Sequence, residues 1–320
     1  MGKKAEEREL GFGSKTSSQK TRLINKDGSF NIDRIELSRW SSTSIYHALI
    51  TMPWRKFNLI ILIYFLSINL FFACCYFFTG IDGLKGVEAT TQMNKFLEAF
   101  FFSTQTFSTV GFGRLSPGNN LTSSIAAIES LVGLLGFALA TGLLYGRFSR
   151  PVARILFSKN AIIAPFKEGT AFQFRLANRM RNSQLTDMTC RVTVAKLETE
   201  NGVKVRRFRP LELELKEIIF FPMTWTINHP IDENSPLYGM NHQDLIDADV
   251  EFMISLSGFD DTFSQTVSTR HSYTHEELIY GAKWITVFSQ NKKGQTSQNL
   301  NKISEYEKVT LYGRPLSVTA

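Results

Sequence analysis

The sequence contains few of the residues from which metal sites and disulfide frameworks are built. Its 320 residues include three cysteines and five histidines. Cys74 and Cys75 are adjacent within an apolar run, where cysteine behaves as a small hydrophobic residue, and Cys190 stands alone in the polar half. Neither residue type shows the spacing of a zinc site. The sequence therefore predicts no disulfide framework and no transition-metal centre.

Catalytic motifs are also absent. The C-terminal half has no nucleophile elbow and no phosphate-binding loop. The N-terminal segment 1–33 is polar and mixed in charge, which excludes a cleavable secretory signal with an apolar core. We therefore expect neither an enzyme nor an organic cofactor, and we expect a cytoplasmic, partly disordered N-terminus.

Two long apolar runs are instead the main feature of the first half. Residues 57–78 carry no charge, and residues 121–145 carry one acid, Glu129. Each run meets the roughly 20 residues needed to cross about 30 Å of hydrocarbon. A buried core helix is the alternative for the first run, but a soluble helix normally has a polar face. We predict two transmembrane helices, with Glu129 facing protein or water.

Basic residues flank both runs in a chain whose net charge is +7. A nucleic-acid surface would more often interleave basic and aromatic residues, so we predict a membrane rather than a nucleic acid as the partner. The positive-inside rule then predicts a multi-pass membrane protein with both termini cytoplasmic. The flanking residues are Arg55 and Lys56 before the first run, and Arg147, Arg150, Arg154 and Lys159 after the second.

Short segments surround the predicted spans. Residues 40–53 mix apolar and polar side chains and end at Pro53, which favours a helix lying along the membrane interface; a plain linker is the alternative. After Lys159 short alternating runs are separated by turn signals, which predicts an all-β sandwich or barrel. Examples are 189–197, 211–221 and 250–256, the last followed by a predicted turn at Ser257 and Gly258.

These patterns predict five regions. They are an N-terminal segment (1–39), an interfacial helix (40–53), a transmembrane domain (54–148), a linker (149–158) and a C-terminal β-domain (159–320).

The connection between the spans contains a pore-like motif. An apolar stretch at 96–107 is too short to span and is more naturally a re-entrant helix. The pentapeptide Thr109, Val110, Gly111, Phe112 and Gly113 follows it. Stacked backbone carbonyls from four chains can replace the hydration shell of K⁺, and alternate glycines allow the backbone angles required. We predict a selectivity filter with K⁺ at Thr109–Phe112, in a homotetramer.

In these features the chain resembles the prokaryotic inward-rectifier potassium channels. The resemblance extends to the strings at 148–151, 160–163 and 231–238. It implies an immunoglobulin-like cytoplasmic sandwich, four-fold assembly and an ion path that continues through that domain.

Three departures from the family pattern affect what the resemblance implies. The connection lacks the cysteine pair of eukaryotic relatives, which favours the bacterial branch. Gln105 stands where they have a Glu that pairs with an Arg, so Arg114 is expected to lack its usual partner. Phe137 replaces the Asp of strongly rectifying members. Polyamines and Mg²⁺ are the blockers that the resemblance implies, although strong polyamine block is not expected.

The resemblance also suggests two sites near the inner membrane face. Phe137 and Tyr145 match the inner gate, where aromatic rings could close the path; for Tyr145 a membrane-belt role is the alternative. The basic residues Arg55, Lys56, Arg147, Arg150, Arg154 and Lys159 are predicted to bind anionic lipids, although membrane topology alone would explain them.

A third site lies in the predicted cytoplasmic domain. Asp187 matches an acidic position lining the cytoplasmic pore, and Ser257 stands at the next such position. Gly258 and Phe259 match a loop that narrows the cytoplasmic mouth; a solvated turn is the alternative.

Two other functional classes compete with a channel. A transporter subunit is the nearest, but such chains carry four pore loops and this chain has one. An enzyme or a soluble lipid-binding module would not require residues 109–113.

Overall fold

The computed structural model describes residues 22–32, 44–151, 153–180, 184–200, 202–290, 294 and 296–311. They fall into two units. The helical unit lies within Ile35–Arg150, and the β unit combines described parts of Met1–Arg34 and Pro151–Ala320. The predictions for 1–21 and for the start of the interfacial helix at 40–43 lie outside the described residues.

Proline and capping residues divide the apolar half of the chain into four helices. Helix α1 (Ile45–Thr51) stops two residues before Pro53, and α2 (Trp54–Phe78) begins directly after it. Helices α3 (Gln92–Phe107) and α4 (Asn120–Phe148) are capped by Thr91 and Asn119, whose side chains accept hydrogen bonds from backbone N–H groups of the first turn.

The two helices predicted to span the membrane are confirmed as long apolar helices. Helix α2 has 25 residues and α4 has 29, and both are apolar enough to cross a bilayer. Helix α3 has 16 residues, or about 24 Å at 1.5 Å per residue, and is too short to cross. A two-stranded ribbon of β1 (Leu84–Lys85) and β2 (Ser116–Pro117) joins the segments on either side of α3.

The β unit contains two five-stranded sheets. The strands of the first sheet are β6 (Leu185–Glu200), β7 (Val203–Leu211), β8 (Glu217–Phe220), β10 (Glu251–Asp260) and β11 (Gln265–Thr274). Those of the second are β3 (Ile155–Phe157), β4 (Ala161–Phe166), β5 (Gly169–Asn178), β9 (Trp225–Ile231) and β12 (Leu278–Tyr280). The strand order is β11-β10-β6-β7 in the first sheet, with β8 also paired to β6, and β12-β4-β5-β3 in the second, with β9 also paired to β5.

The described part of the β unit also contains one short α-helix and two ribbons. They are helix α5 (His242–Asp247) and two ribbons, one of β13 (Ala282–Trp284) with β16 (Tyr306–Lys308), the other of β14 (Phe288–Gln290) with β15 (Thr296–Gln298).

The core lies between the two five-stranded sheets. Phe172 on β5 and Phe252 on β10 stack with ring centroids 3.9 Å apart, and both side chains are fully buried. Strand β9 alternates buried and partly exposed residues from Trp225, as expected for a strand with one face on a core. The predicted all-β sandwich is confirmed.

Two strand predictions were wrong in detail. The run at 211–221 is interrupted, because β7 ends at Leu211 and β8 begins at Glu217. The predicted turn at Ser257 and Gly258 is absent, since β10 continues to Asp260. Ser257 pairs with a residue on each neighbouring strand, and this ladder outweighs the local turn preference of Ser-Gly.

The N-terminal residues 22–32 pack on the β unit. The backbone N–H groups of Leu23 and Ile24 donate to the Glu251 carboxylate at 2.8 and 3.1 Å. Both side chains are buried with Ala195 and Met253. Residues 22–32 are therefore anchored to β10 by a buried acid.

His271 makes the N-terminal contact sensitive to acid. Its ring stacks on Phe157 at 4.3 Å, and its Nδ1 lies 3.2 Å from the carbonyl O of Lys26. Burial, together with the nearby cations Arg22 and Lys26, lowers the pKa of His271 to about 4, against contributions from Glu277 and the Lys26 carbonyl that raise it. Between pH 4 and 6.5 the unfolded chain therefore binds this proton more strongly, so stability falls as the pH is lowered through that window.

We expect His271→Gln to flatten the pH dependence of unfolding. A depression from 6.5 to about 4 corresponds to about 3 kcal/mol, lost progressively on acidification. Chemical unfolding of the β unit would be followed in the full chain at pH 7, 6 and 5. His242→Gln, at an exposed position, is the matched control. Equal pH slopes in wild type and His271→Gln would contradict this assignment.

Candidate functional site

The predicted filter segment 109–113 leaves the C-terminal end of α3 in an unusual backbone conformation. Thr109, Gly111 and Gly113 have φ values of 58°, 57° and 87°, whereas neither Val110 nor Phe112 has a positive φ. When residues with positive and negative φ alternate in this way, successive polar groups of the backbone line one concave surface. The glycines adopt this conformation without a Cβ penalty.

Thr109 is the strained member of this segment. It is the β-branched residue among the five described non-glycine residues with positive φ. Its N–H donates to the carbonyl of Thr106 at 3.1 Å, and the N–H of Val110 donates to that of Gln105 at 3.0 Å. Strain of this kind persists only where the surrounding structure enforces it, and it concentrates at functional sites.

The outer end of the filter segment is tied to the loop before α3. Arg114 donates to the carboxylate of Glu98 and to the carbonyl of Gly86, both at 3.0 Å. The same carboxylate accepts hydrogen bonds from the backbone N–H groups of Glu88 and Ala89. Arg114 therefore has an acidic partner in α3, although Gln105 stands at the position where the family resemblance placed one. The sequence signal was an isolated acid at the start of an apolar helix.

The predicted gate residues lie on α4 and are uncovered in the single chain. The side chains of Phe137 and Tyr145 are 75% and 74% exposed. Eight residues separate them, which puts them on neighbouring faces of a helix of 3.6 residues per turn. Val110 and Phe112 of the filter segment are also exposed. These four side chains are therefore not covered by other described residues of the same chain.

Arg147 differs from the other five predicted lipid-binding residues. Its guanidinium donates to the carbonyls of Leu49 and Met52 at 2.6 and 2.8 Å, and it lies 4.4 Å from the ring centroids of both Trp54 and Phe57. Arg147 therefore joins the end of α1 to α4, and its role in lipid binding stays a prediction. The other five side chains are exposed, namely Arg55, Lys56, Arg150, Arg154 and Lys159.

The predicted residues of the cytoplasmic pore come together at one end of β6 and β10. The register between these strands shifts between Ser257 and Phe259, where Asp187 bulges outward with a φ of 49° and an exposed side chain. Gly258 is buried, and a Cβ there would lie 2.1 Å from the sulfur of Met188. Gly258 and Phe259 therefore lie in a strand beside a β-bulge, not in the loop that was predicted.

Comparisons with known proteins agree with this arrangement of helices and strands. The family model described as "Inward rectifier potassium channel C-terminal domain" matches residues 155–318, and the one described as "Ion channel" matches residues 59–150. The Inward rectifier potassium channel Kirbac3.1 of Paramagnetospirillum magnetotacticum is 35% identical over 296 residues, which cover 92% of this chain and 98% of that protein. The chain belongs to the inward rectifier potassium channel family.

Eukaryotic members of this family match over most of the chain at lower identity. The ATP-sensitive inward rectifier potassium channel 8 of Homo sapiens is 25% identical over 318 residues, covering 91% of this chain and 74% of its own length. The protein of the same name from Rattus norvegicus is 26% identical over 301 residues, covering 85% and 71%. The matched families are ion channels and not enzymes, and the chain is a membrane protein of a potassium channel family.

Proposed function

We propose that the chain is one subunit of a homotetrameric channel that conducts K⁺ passively through the filter segment 109–113. The observation that carries this proposal is the alternation of positive φ at Thr109, Gly111 and Gly113. Carbonyls of Thr109, Val110, Gly111 and Phe112 from four chains would replace the hydration shell of K⁺. The exposed Val110 and Phe112 support an assembly in which further copies surround the segment.

Ion flux into liposomes tests this function directly. Purified protein would be reconstituted, and uptake of K⁺ and Na⁺ would be compared at equal gradients. Selective K⁺ uptake by a species with the mass of four chains is the expected result. Equal K⁺ and Na⁺ uptake, or a mass of one or two chains, would refute the proposal.

Closure would occur at the inner end of α4. Phe137 and Tyr145 would form successive aromatic constrictions that close the path by steric block and dewetting. Their exposed rings support this assignment, and a membrane-facing Tyr145 is the alternative. A ring of four Asp187 carboxylates, each beside Ser257, Gly258 and Phe259 of its own chain, would concentrate cations in the cytoplasmic pore. Polyamines and Mg²⁺ are the blockers such a ring would attract.

The orientation and domain limits follow from the same proposal. Both termini would lie in the cytoplasm of a cell whose inner membrane holds the transmembrane domain (54–148). The interfacial helix (40–53) would lie on its surface, and the linker (149–158) would lead to the cytoplasmic domain (159–320).

Anionic lipids would regulate the channel through exposed basic residues. Each such residue near an anionic surface is worth about 1 kcal/mol of attraction. A lipid changes gating only as far as it prefers one state, so attraction alone is insufficient. Arg150 and Arg154 are the most informative positions, because they follow the gate-bearing helix directly in the chain.

We expect K⁺ flux to change with anionic lipid content, and the response to shrink in an Arg150→Gln, Arg154→Gln variant. Flux would be measured in neutral liposomes and in liposomes with increasing phosphatidylglycerol, at matched protein incorporation. Lys204→Gln, on strand β7, is the control for loss of a positive charge. An unchanged lipid response in the double variant would show that these arginines set the membrane orientation of the chain and do not mediate lipid regulation.

A further inference from the structure

Glu129 is a carboxyl group buried within a membrane-spanning helix, and the proposed conduction path does not use it. Its side chain is fully inaccessible to solvent. Glu129 was predicted to face either protein or water, and in the structure it faces protein. It accepts a hydrogen bond from the Tyr76 hydroxyl on α2 at 2.6 Å and another from the Ser103 hydroxyl on α3. One side chain of α4 therefore contacts both other long helices of the helical unit.

The partners of Glu129 extend this polar contact. The Oγ of Ser103 also lies 3.1 Å from the backbone carbonyl and 3.2 Å from the side-chain oxygen of Asn69 on α2. Asn69, Tyr76 and Ser103 are all fully buried. Buried polar groups in an apolar membrane environment are retained where they hold neighbouring helices together.

A second contact lies one helical turn further along both α3 and α4. A Cβ on Gly133 would lie 2.1 Å from the carbonyl oxygen of Phe107. Glu129 and Gly133 are four residues apart on α4, and Ser103 and Phe107 are four residues apart on α3. Residues at this spacing share one helix face. The contacts Glu129–Ser103 and Gly133–Phe107 therefore fix how α3 and α4 are aligned along their axes and how far apart they lie.

Phe107 is the last residue of α3, and the strained Thr109 follows two residues later. We infer that Glu129 is a positioning residue for K⁺ selectivity: its hydrogen bond to Ser103 holds the end of α3 against Gly133, and thereby sets the backbone of the filter segment. This inference rests on the proposed function. Glu129 acts through Ser103 and touches no ion.

Isosteric and apolar replacements of Glu129 separate hydrogen bonding from charge. In Glu129→Gln the amide oxygen can accept from Tyr76 and the amide NH₂ can donate to Ser103, whose own hydroxyl can turn to Asn69. Glu129→Leu has a similar volume but leaves the buried Tyr76 hydroxyl without an acceptor and removes the hydrogen bond that joins Ser103 to α4. We therefore expect the Gln variant to keep the wild-type K⁺/Na⁺ flux ratio and the Leu variant to lose it.

Ser103→Ala is the milder test, since it removes one oxygen and leaves the carboxyl group in place. We expect the K⁺/Na⁺ flux ratio in liposomes to fall about tenfold, the effect of one lost buried hydrogen bond. Ser124→Ala is the matched control, because the Ser124 hydroxyl is exposed and donates within α4, to the carbonyl of Asn120 at 2.9 Å. Tetramer yield in detergent would be measured for every variant.

Several outcomes would overturn the inference. An unchanged flux ratio in Ser103→Ala would do so even if Glu129→Leu failed to assemble. Equal losses in the Gln and Leu variants would show that the negative charge matters, not the hydrogen bonds. Wild-type protein without K⁺ selectivity would instead refute the proposed function, and this inference with it.

Discussion

Replacing Gly111 with alanine should abolish selective K⁺ flux. Gly111 has a φ of 57°, the left-handed region, in which an L-residue with a Cβ is disfavoured by about 1–2 kcal/mol. In a tetramer the four substituted residues would surround one ion site, and together they would destabilise it by about 4–8 kcal/mol. Relaxation of this residue would rotate a carbonyl away from the ion path, and the site would lose its preference for K⁺ over Na⁺.

The measurement is the K⁺/Na⁺ flux ratio of liposomes at matched incorporation. Gly142→Ala provides the matched control, because a Cβ there meets nothing within 4 Å and Gly142 lies inside α4 without a positive φ. We expect this control to keep the wild-type ratio. Wild-type selectivity in Gly111→Ala would show that residues 109–113 are not the filter.

Sequence reasoning selected residues 109–113 as the predicted filter because their backbone conformation leaves a local mark in the sequence. Alternate glycines between two apolar spans record the positive φ values at Gly111 and Gly113. The φ of Thr109 leaves no such mark, since threonine rarely adopts it. A glycine pattern does not indicate which side chains support residues 109–113 from the surrounding helices.

That support depends on pairs of residues brought together by helix packing. Glu98 with Arg114 and Ser103 with Glu129 are 16 and 26 residues apart in the chain. Which polar side chains meet depends on how each helix is rotated, and a single apolar run does not determine this rotation. The isolated acid Glu129 predicted a side chain that faces protein or water, but its partners became visible only in the structure.

In the β unit a prediction from local sequence was wrong, because pairing with neighbouring strands determined the structure instead. Ser257 and Gly258 form a typical turn dipeptide, yet β10 is paired on both sides at this point. A strand between two partners gains ladder hydrogen bonds that a turn would lose. The β-bulge at Asp187 absorbs the irregularity instead.

The packing of residues 22–32 was also missed, and it gives the largest expected effect on stability. Glu251 contacts Leu23, 228 residues away in the chain, a separation at which no local pattern is informative. Its carboxylate is 2% exposed and also lies 3.8 Å from the guanidinium of Arg206, which is equally buried and also pairs with Asp249. Glu251 therefore accepts hydrogen bonds from two backbone N–H groups and also partly neutralises the buried Arg206.

Glu251→Ala should release residues 22–32 and destabilise the β unit by about 3–5 kcal/mol, the typical cost of removing one partner of a buried ion pair. The N–H groups of Leu23 and Ile24 would lose their acceptor in a site that excludes water. In Glu251→Gln one oxygen remains to accept, so we expect a smaller loss. Trypsin cleavage after Lys26, an exposed side chain, reports release directly.

Three measurements on the full chain in detergent separate release from general unfolding. Cleavage after Lys26 and hydrogen exchange of the Leu23 and Ile24 amides should both accelerate at least tenfold in Glu251→Ala, while the denaturation midpoint of the β unit falls. Glu233→Ala is the matched control, because the same side chain is removed from an exposed position. If cleavage and exchange in Glu251→Ala match this control, residues 22–32 are held by their apolar contacts, with Glu251 serving only as a counter-charge to Arg206.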